Sequence, residues 1–206
     1  MKQINSFGKK VYIIFGNSDF YKDYETSEPS IIMPGYYENK IKKLKNLVLI
    51  EKKRKRVDGI ELIGHGGYVD VTDFIKHPID KDRGKQKLRL ARYRKSENKL
   101  KKIFSKNKPK QGFIFLIHYT PYHCLDKVKM KSSPMHGKHV GFEPYNNIIK
   151  RYKPALVICG HMHENQGKCR IGNSIIVNPG AASEGKAALI EFDEKKKKVL
   201  DVRFIR

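Results

Sequence analysis

Histidine and asparagine side chains follow three apolar runs of the chain, and this combination of residue type and position makes them candidate metal ligands. The candidates are Asn17 after the run at 11–15, His118 after the run at 113–117, and His161 and His163 after the run at 155–159. Imidazole nitrogens and amide oxygens suit borderline divalent cations such as manganese, iron and zinc. His161 and His163 are separated by one residue, Met162, and we expect them to serve two different ions rather than to chelate one.

The apolar runs that precede these residues are predicted strands, and their arrangement decides whether the ligands meet. In open α/β sheets, ligands bind in the crevice beyond the carboxyl ends of the strands. Three independent strands that end in ligand-type residues therefore predict one shared pocket. A core histidine with satisfied hydrogen bonds is the alternative, and it accounts for His118 taken alone. It accounts less well for His161 and His163 between Gly160 and Glu164, so the metal interpretation is favoured.

Short β-branched and aromatic runs alternate with turn residues along the chain, which predicts a single α/β domain spanning 1–206. Strands are predicted at 11–15, 48–50, 59–63, 113–117, 155–159, 174–177, 187–192 and 199–205. Helices are predicted at 41–47, 87–106 and 145–152. The glycines of 64–67 predict a loop, and the basic run at 52–56 predicts a solvated connection between two strands.

Composition argues against several classes of protein. The 206 residues are 39% hydrophobic, enough for a packed core, and the longest uninterrupted apolar run, 113–117, is far too short to cross a membrane. No basic and apolar leader opens the chain, so neither secretion nor a membrane partner is expected. The three cysteines contain no Cys-x-x-Cys pair, which argues against a disulfide scaffold or zinc ribbon and favours a reducing cytoplasm.

The net charge of the chain has two explanations, because 44 Lys and Arg against 21 Asp and Glu leave +23. The stretch Lys85–Lys110 carries twelve of the basic side chains and one acid, Glu97. A cationic face of this kind can bind nucleic acid through its phosphates. A lysine-rich proteome, in which lysine fills surface positions whatever the function, explains the same charge. The second explanation is favoured because no nucleic-acid-binding motif accompanies the stretch.

The ordered motifs Gly16-Asn17-Ser18-Asp19, His118 and Gly160-His161-Met162-His163 resemble the later motifs of the calcineurin-like metallophosphoesterases. The segments 118–122 and 178–180 resemble archaeal-type members, so the resemblance covers nearly the whole chain. It implies a four-layer α/β/β/α sandwich with two metal ions at the strand ends. It also implies a phosphoesterase that hydrolyses a phosphate mono- or diester by in-line attack of a metal-held hydroxide.

The resemblance assigns roles to the candidate ligands. Asn17, His118 and His161 would hold one ion and His163 the other, with manganese, iron, zinc or nickel as the metal. Ser18 stands where many members have a histidine that protonates the leaving group, and serine is a poor acid at pH 7. We interpret this difference as a clue to the class of substrate rather than as inactivation.

Three more residues are candidates for the site. Asp19 is expected to orient its neighbours by hydrogen bonding and is grouped with Ser18 as catalytic. His65, after a predicted strand and amid glycines, is a candidate substrate-binding residue. His139 is another, because its segment resembles a substrate-side loop of relatives. The alternative is that both histidines are ordinary residues of surface loops, and this alternative is favoured.

Two motifs of the family have no counterpart here: an Asp-x-His strand end and a Gly-Asp whose aspartate bridges the two ions. Only fifteen residues precede Gly16, and none of them is Asp or His. The resemblance therefore implies an N-terminally truncated domain that lacks the opening β-α-β unit and by itself holds one ion or none. The explanations left open are a start codon assigned too late, a complementing N-terminal fragment or second copy of the chain, and a degenerate gene copy.

Three functions follow from these observations. The first is a metal-dependent phosphoesterase, impaired or completed by residues outside this chain. The second is a non-catalytic remnant of the fold that binds nucleic acid or another polyanion through Lys85–Lys110. The third is a nuclease of the same family, in which that basic stretch positions the substrate. The four retained ligand residues favour descent from an enzyme.

Overall fold

The computed structural model describes residues 1–20, 33–77, 82–105 and 108–206. The strands are β1 (Val11–Ile13), β2 (Leu47–Leu49), β3 (Arg54–Val57), β4 (Ile60–His65), β5 (Ile114–Ile117), β6 (Leu156–Ile158), β7 (Gly167–Ile171), β8 (Ser174–Asn178), β9 (Ala187–Asp193) and β10 (Lys198–Ile205). The α-helices are α1 (Lys2–Ser6), α2 (Met33–Lys42), α3 (Thr72–Lys76), α4 (Arg83–Ser105) and α5 (Glu143–Tyr152). Short 3-10 turns occupy Ser18–Phe20, His163–Asn165 and Ala182–Glu184.

A six-stranded sheet in the order β3-β4-β5-β6-β8-β7 forms the centre of the fold. Its inner strands β4, β5, β6 and β8 run parallel, and the edge strands β3 and β7 are antiparallel to their neighbours. Side chains of β5 alternate, with Phe115 and Ile117 in the cluster on one face and Ile114 and Leu116 in clusters on the other. The run is apolar throughout because both faces of the sheet are covered.

Two helical layers and two strand layers make up the fold. On one face of the central sheet, α4 buries Leu100 and Phe104 against Phe115, and α5 packs beside it. On the other face lie the parallel pair β1-β2 and the antiparallel hairpin β9-β10. Helix α2 covers the outer side of β1-β2, where Ile41 packs with Phe15. This is the four-layer α/β/β/α arrangement that the resemblance implied.

The two strand layers approach each other closely where β1 and β4 end. A Cβ atom on Gly64 would lie 2.2 Å from the Ile50 carbonyl oxygen, and one on Gly66 would lie 2.2 Å from the Phe15 carbonyl oxygen. A side chain at either position would therefore force the layers apart. Buried Glu51 adds a polar link, because its Oε2 accepts hydrogen bonds from the Phe15 and Gly66 amides at 3.3 and 3.0 Å. The end of β1 is thus held against the end of β4.

Two segments predicted as irregular contain strand. The prediction of a loop at 64–67 is wrong at its start, because β4 continues through Gly64 to His65. The glycine there is needed for close packing of two layers. The basic run at 52–56 is partly a strand, since β3 begins at Arg54. An edge strand accommodates exposed charges such as those of Lys55 and Arg56, because only one of its long sides pairs with the sheet.

The long basic helix is confirmed over the described residues, where α4 ends at Ser105; residue 106 of the predicted helix lies outside them. The helix predicted at 41–47 is wrong, because α2 ends at Lys42 and β2 begins at Leu47. Ile41, Leu44 and Leu47 pack in one cluster, so their spacing reflects a shared core rather than one helix. Among the helices that the structure describes, none is long and apolar enough to cross a membrane.

Cys124 and Cys169 form a disulfide that links the loop after β5 to the edge strand β7, with their Cα atoms 6.2 Å apart. Cys159 is a free thiol buried just after β6, and its burial raises its pKa. The sequence argument against disulfides is therefore wrong for this pair. An odd number of cysteines and the absence of Cys-x-x-Cys do not prevent two distant segments from meeting in the fold.

Thiol titration tests this pairing. In the denatured, unreduced chain we expect a thiol-reactive dye to detect one thiol, that of Cys159, and after reduction three. In the native protein we expect none, because Cys159 is buried and its raised pKa keeps it protonated. The Cys159→Ala variant should give none before reduction and two after it. Three thiols in the denatured, unreduced chain would contradict the disulfide.

Candidate metal centre

Three strand ends bring predicted ligands to one edge of the fold. His118 follows β5 directly, and His161 lies three residues after β6, the parallel neighbour of β5. The His118 amide donates to the His65 carbonyl at 3.3 Å, and the Gly160 amide donates to the His118 carbonyl at 2.9 Å. The backbone of His118 is thus held between the ends of β4 and β6. Asn17 arrives from the other strand layer, four residues after β1.

The side chains of Asn17, His118 and His161 meet in one cluster. The Asn17 Oδ1 atom lies 2.7 Å from His118 Nε2 and 3.2 Å from His161 Nδ1. The centroids of the two imidazole rings are 5.2 Å apart, and the rings are inclined at 75°. The geometry agrees with the prediction that these three residues share a pocket, and their role as ligands stays a prediction.

The turn that carries Asn17 is closed by a hydrogen bond of its own. The Asp19 Oδ2 atom accepts the Gly16 amide at 2.7 Å. Ser18 begins the 3-10 turn and is exposed. Asp19 therefore orients the backbone of the turn, as its residue type suggested, and Ser18 lies at the surface beside Asn17. A catalytic role for either residue stays a prediction.

Both imidazoles of the cluster are held in the neutral form. Burial lowers the pKa of His118 to about 3, with contributions from the charges of His161 and His163. Burial also lowers the pKa of His161 to about 4, helped by the charge of His163 and opposed by that of Glu164. A neutral imidazole keeps the lone pair that a metal ligand must offer.

Tyr119 is a member of this site to which the sequence analysis gave no role. Its ring stacks on that of His161, with 3.9 Å between centroids and 29° between planes. The His161 backbone has a positive φ of 64°, the left-handed conformation. The stack therefore supports the ring of a residue whose backbone is strained. The position of Tyr119 immediately after the candidate ligand His118 was the one sequence feature that could have indicated its place in the site.

His163 lies apart from the cluster within the described part of the chain. His163 is exposed at the start of a 3-10 turn, and within the described residues no hydrogen bond joins it to Asn17, His118 or His161. No group of three or more His, Cys, Asp or Glu side chains in the described ranges could hold a metal ion. The role of His163 as a ligand stays a prediction.

His65 lies in the core rather than in a surface loop. Its side chain is 2% exposed, and its Nδ1 atom lies 2.8 Å from the Tyr145 hydroxyl. Burial lowers the pKa of His65 to about 3, so the ring is neutral. This burial gives no support to direct contact with a substrate. Its backbone carbonyl instead accepts the His118 amide, so the residue helps to position a candidate ligand.

His139 is oriented by a buried carboxylate. Its Nδ1 atom lies 2.7 Å from Asp126 Oδ1, and Asp126 is 1% exposed. The other oxygen of Asp126 accepts the amides of His123 and Gly141 at 2.9 and 3.0 Å, which fixes the loop on both sides. The rings of His123 and His139 are 4.2 Å apart, centroid to centroid. The substrate-binding role of His139 stays a prediction.

A methyl group at Gly16 tests the packing of this cluster. In Gly16→Ala the new Cβ would lie 3.2 Å from His118 Cε1, so the imidazole must shift by a few tenths of an ångström. We expect altered imidazole resonances of His118 in the spectrum of histidine-labelled protein. The matched control is Gly160→Ala, whose Cβ would meet nothing closer than the His118 carbonyl oxygen at 3.7 Å. Equal perturbation by both variants would contradict the packing described here.

Comparison with known families gives one match over most of the chain. A family model described as "Metallophosphoesterase, calcineurin superfamily" matches residues 6–202. A relative is the uncharacterized protein MJ1162 of Methanocaldococcus jannaschii, which is 27% identical over 191 residues. That alignment covers 87% of this chain and 75% of MJ1162.

Solved structures share the fold of this chain. One crystal structure aligns with 98% of this chain and 68% of its own, with a TM-score of 0.59 and 22% sequence identity. The crystal structure of TT1561 of Thermus thermophilus aligns with 95% of this chain and 72% of its own, with a TM-score of 0.53 and 18% identity. At these identities the likeness concerns the fold alone.

Proposed function

Because the chain belongs to the calcineurin superfamily of metallophosphoesterases, we propose that it hydrolyses a phosphate mono- or diester at the cluster of Asn17, His118 and His161. One observation carries the proposal: an amide oxygen lies 2.7 and 3.2 Å from two imidazole nitrogens that arrive from different strands. A core that only needed satisfied histidines would not have to gather both rings around one half-buried amide at the ends of the strands.

The donor set fits one divalent ion. Two neutral imidazoles and an amide oxygen are ligands of manganese, iron, zinc or nickel, and they leave coordination positions open for water and substrate. All three ligands are uncharged, so the ion would keep its full positive charge toward a phosphate. A second ion is not supported, because the family resemblance assigns it one ligand of this chain, His163. Within the described residues, no group of three or more His, Cys, Asp or Glu side chains could hold a metal ion.

Different residues of the chain would have different roles in such a reaction. When bound, a divalent ion polarises a phosphoryl oxygen and makes water a stronger nucleophile. His118 and His161 stay neutral and are held in place by backbone hydrogen bonds and by Tyr119. Exposed Ser18 can donate a hydrogen bond to an ester oxygen but cannot protonate a basic alkoxide at pH 7. Esters of acidic alcohols such as phenols therefore suit this site best.

Manganese titration of the metal-free chain tests this function. We expect one manganese ion per chain and slow hydrolysis of bis(p-nitrophenyl) phosphate. His161→Ala should lower both the affinity for manganese and the rate of hydrolysis by at least about 10-fold. Loss of a residue that only supports a metal ligand already costs about 10-fold, and loss of a ligand should cost no less. Calorimetry and metal analysis after dialysis measure the binding of manganese, and release of p-nitrophenolate measures the rate of hydrolysis.

The matched control is His136→Ala, which removes an exposed imidazole outside the cluster. It should leave the affinity for manganese and the rate unchanged. Two tightly bound ions per chain would contradict the single-ion site. Manganese affinity that is the same in His161→Ala and the unmodified chain would contradict the assignment of the cluster itself.

A second candidate function, binding of nucleic acid or another polyanion, is favoured by the surface of α4. Its exposed cations include Lys85, Lys87, Arg94 and Lys95. The acid Glu97 is paired with Lys101 at 2.7 Å and so does not neutralise them. A regular array of cations along a helix of 23 residues can track a phosphate backbone.

Salt-dependent binding to a short DNA duplex tests the second candidate. We expect the logarithm of the affinity to fall linearly with the logarithm of the salt concentration, with a slope of about −0.9 for each phosphate contacted. Lys87→Glu with Arg94→Glu should weaken binding and flatten the slope, measured by fluorescence anisotropy. Lys195→Glu, an exposed cation on the β9-β10 hairpin, is the control. Absence of DNA binding at low salt would contradict this second function. An equal loss of affinity in the Lys87→Glu, Arg94→Glu variant and in the Lys195→Glu control would contradict it as well.

A further inference from the structure

A pocket of about 320 Å³ lies beside His161, which forms part of its wall. Most of the wall consists of valine, methionine and aromatic side chains, among them Val71, Phe74 and Met135. At the rim, Met130 is 59% exposed. The volume is at the lower end of the range for small-molecule pockets. It is too large to be a packing defect of the core.

The pocket is continuous with the candidate metal centre. Tyr119 lines the pocket and stacks on His161 at 3.9 Å between ring centroids. His161 Nδ1 in turn lies 3.2 Å from Asn17 Oδ1. A phosphate ester bound at Asn17 and His161 therefore has an apolar space next to it, into which a substituent of the ester can extend.

The charges around the pocket are unlike those of the rest of the protein. The chain carries 44 Lys and Arg, yet none of them belongs to the described wall. The charged side chain of the wall is an acid, Glu164. A second anionic group in this space would lose its hydration, meet no cation of the described wall and be repelled by Glu164. The pocket is therefore unsuited to a nucleotide phosphate or a carboxylate.

We propose that this pocket binds an uncharged apolar substituent, aryl or short alkyl, of the phosphate ester that the enzyme hydrolyses. The proposal rests on the phosphoesterase function proposed above and names its substrate class. Burial of the substituent against valine, methionine and aromatic side chains supplies the affinity, and Glu164 supplies discrimination against anionic substituents. The basic helix α4 then plays no part in recognition of this substituent.

Phosphonates, which cannot be hydrolysed at the P–C bond, test the pocket on the full manganese-loaded chain. Calorimetry should show butylphosphonate binding more tightly than methylphosphonate, by about two- to fourfold for each added methylene. The ligand 4-phosphonobutanoate has a tail of equal length that ends in a carboxylate, and it should lose that gain. In methyl-labelled protein loaded with diamagnetic zinc instead of manganese, butylphosphonate should shift the resonances of Met130, Met135 and Met162, which line the pocket.

Two variants separate the pocket from the rest of the surface. Met130→Glu adds a charge at the exposed rim, where the fold tolerates it, and should reduce the affinity for butylphosphonate several-fold without changing that for methylphosphonate. Leu189→Glu is the control, because Leu189 is 55% exposed on β9 and lies outside the pocket wall. It should change neither affinity. Equal effects of Met130→Glu and Leu189→Glu would overturn the proposal.

The ligand series distinguishes failure of the pocket from failure of the phosphoesterase function. If methylphosphonate binds and butylphosphonate binds no more tightly, the pocket assignment is overturned and the metal centre stands. Tight binding of 4-phosphonobutanoate, equal to that of butylphosphonate, would overturn it as well. If no phosphonate binds to the manganese-loaded chain, both proposals are overturned together.

Discussion

The close contact of the two strand layers at Gly64 and Gly66 is the constraint on which the candidate site depends. Carbonyl oxygens of Ile50 and Phe15 occupy the space that side chains would need there. Glu51 ties the same two segments through the Phe15 and Gly66 amides. The turn after Phe15 carries Asn17, whereas His118 and His161 belong to the central sheet. A wider separation of the layers would withdraw the amide from both imidazoles.

The uncharged character of the three candidate ligands, Asn17, His118 and His161, shapes which ions their cluster could hold. Magnesium and calcium prefer several oxygen ligands, usually with carboxylates among them, and this cluster supplies one amide oxygen. Sites that combine imidazole with an amide oxygen instead suit first-row transition metals from manganese to zinc. The family's bridging carboxylate would reduce the charge of a loaded site, and its absence from the described cluster leaves that charge unreduced. A divalent ion held by these three residues would therefore attract an anion strongly.

The candidate ligands and the fold class could be predicted from the sequence because both depend on local order along the chain. Asn17, His118 and His161 each follow an apolar run, so identifying the strands was enough to place them together. The role of Glu51 could not be predicted, because an acid in a basic stretch looks solvated until the second strand layer covers it. His65 is a similar case: its glycine neighbours suggested a turn, yet they permit close packing. The pairing of Cys124 with Cys169 depends on the meeting of a loop with an edge strand, which no spacing in the sequence encodes.

The disulfide between Cys124 and Cys169 also changes the covalent topology of the chain. It closes a ring between two cysteines 45 positions apart in the sequence, and this ring contains His161, His163, His139 and Met135. Asn17 and His118 lie outside that ring. A protease that cuts any single peptide bond within the ring produces two pieces that stay attached to each other. One cut within the loop that carries Met135 would therefore leave both halves of the candidate site in a single covalent molecule.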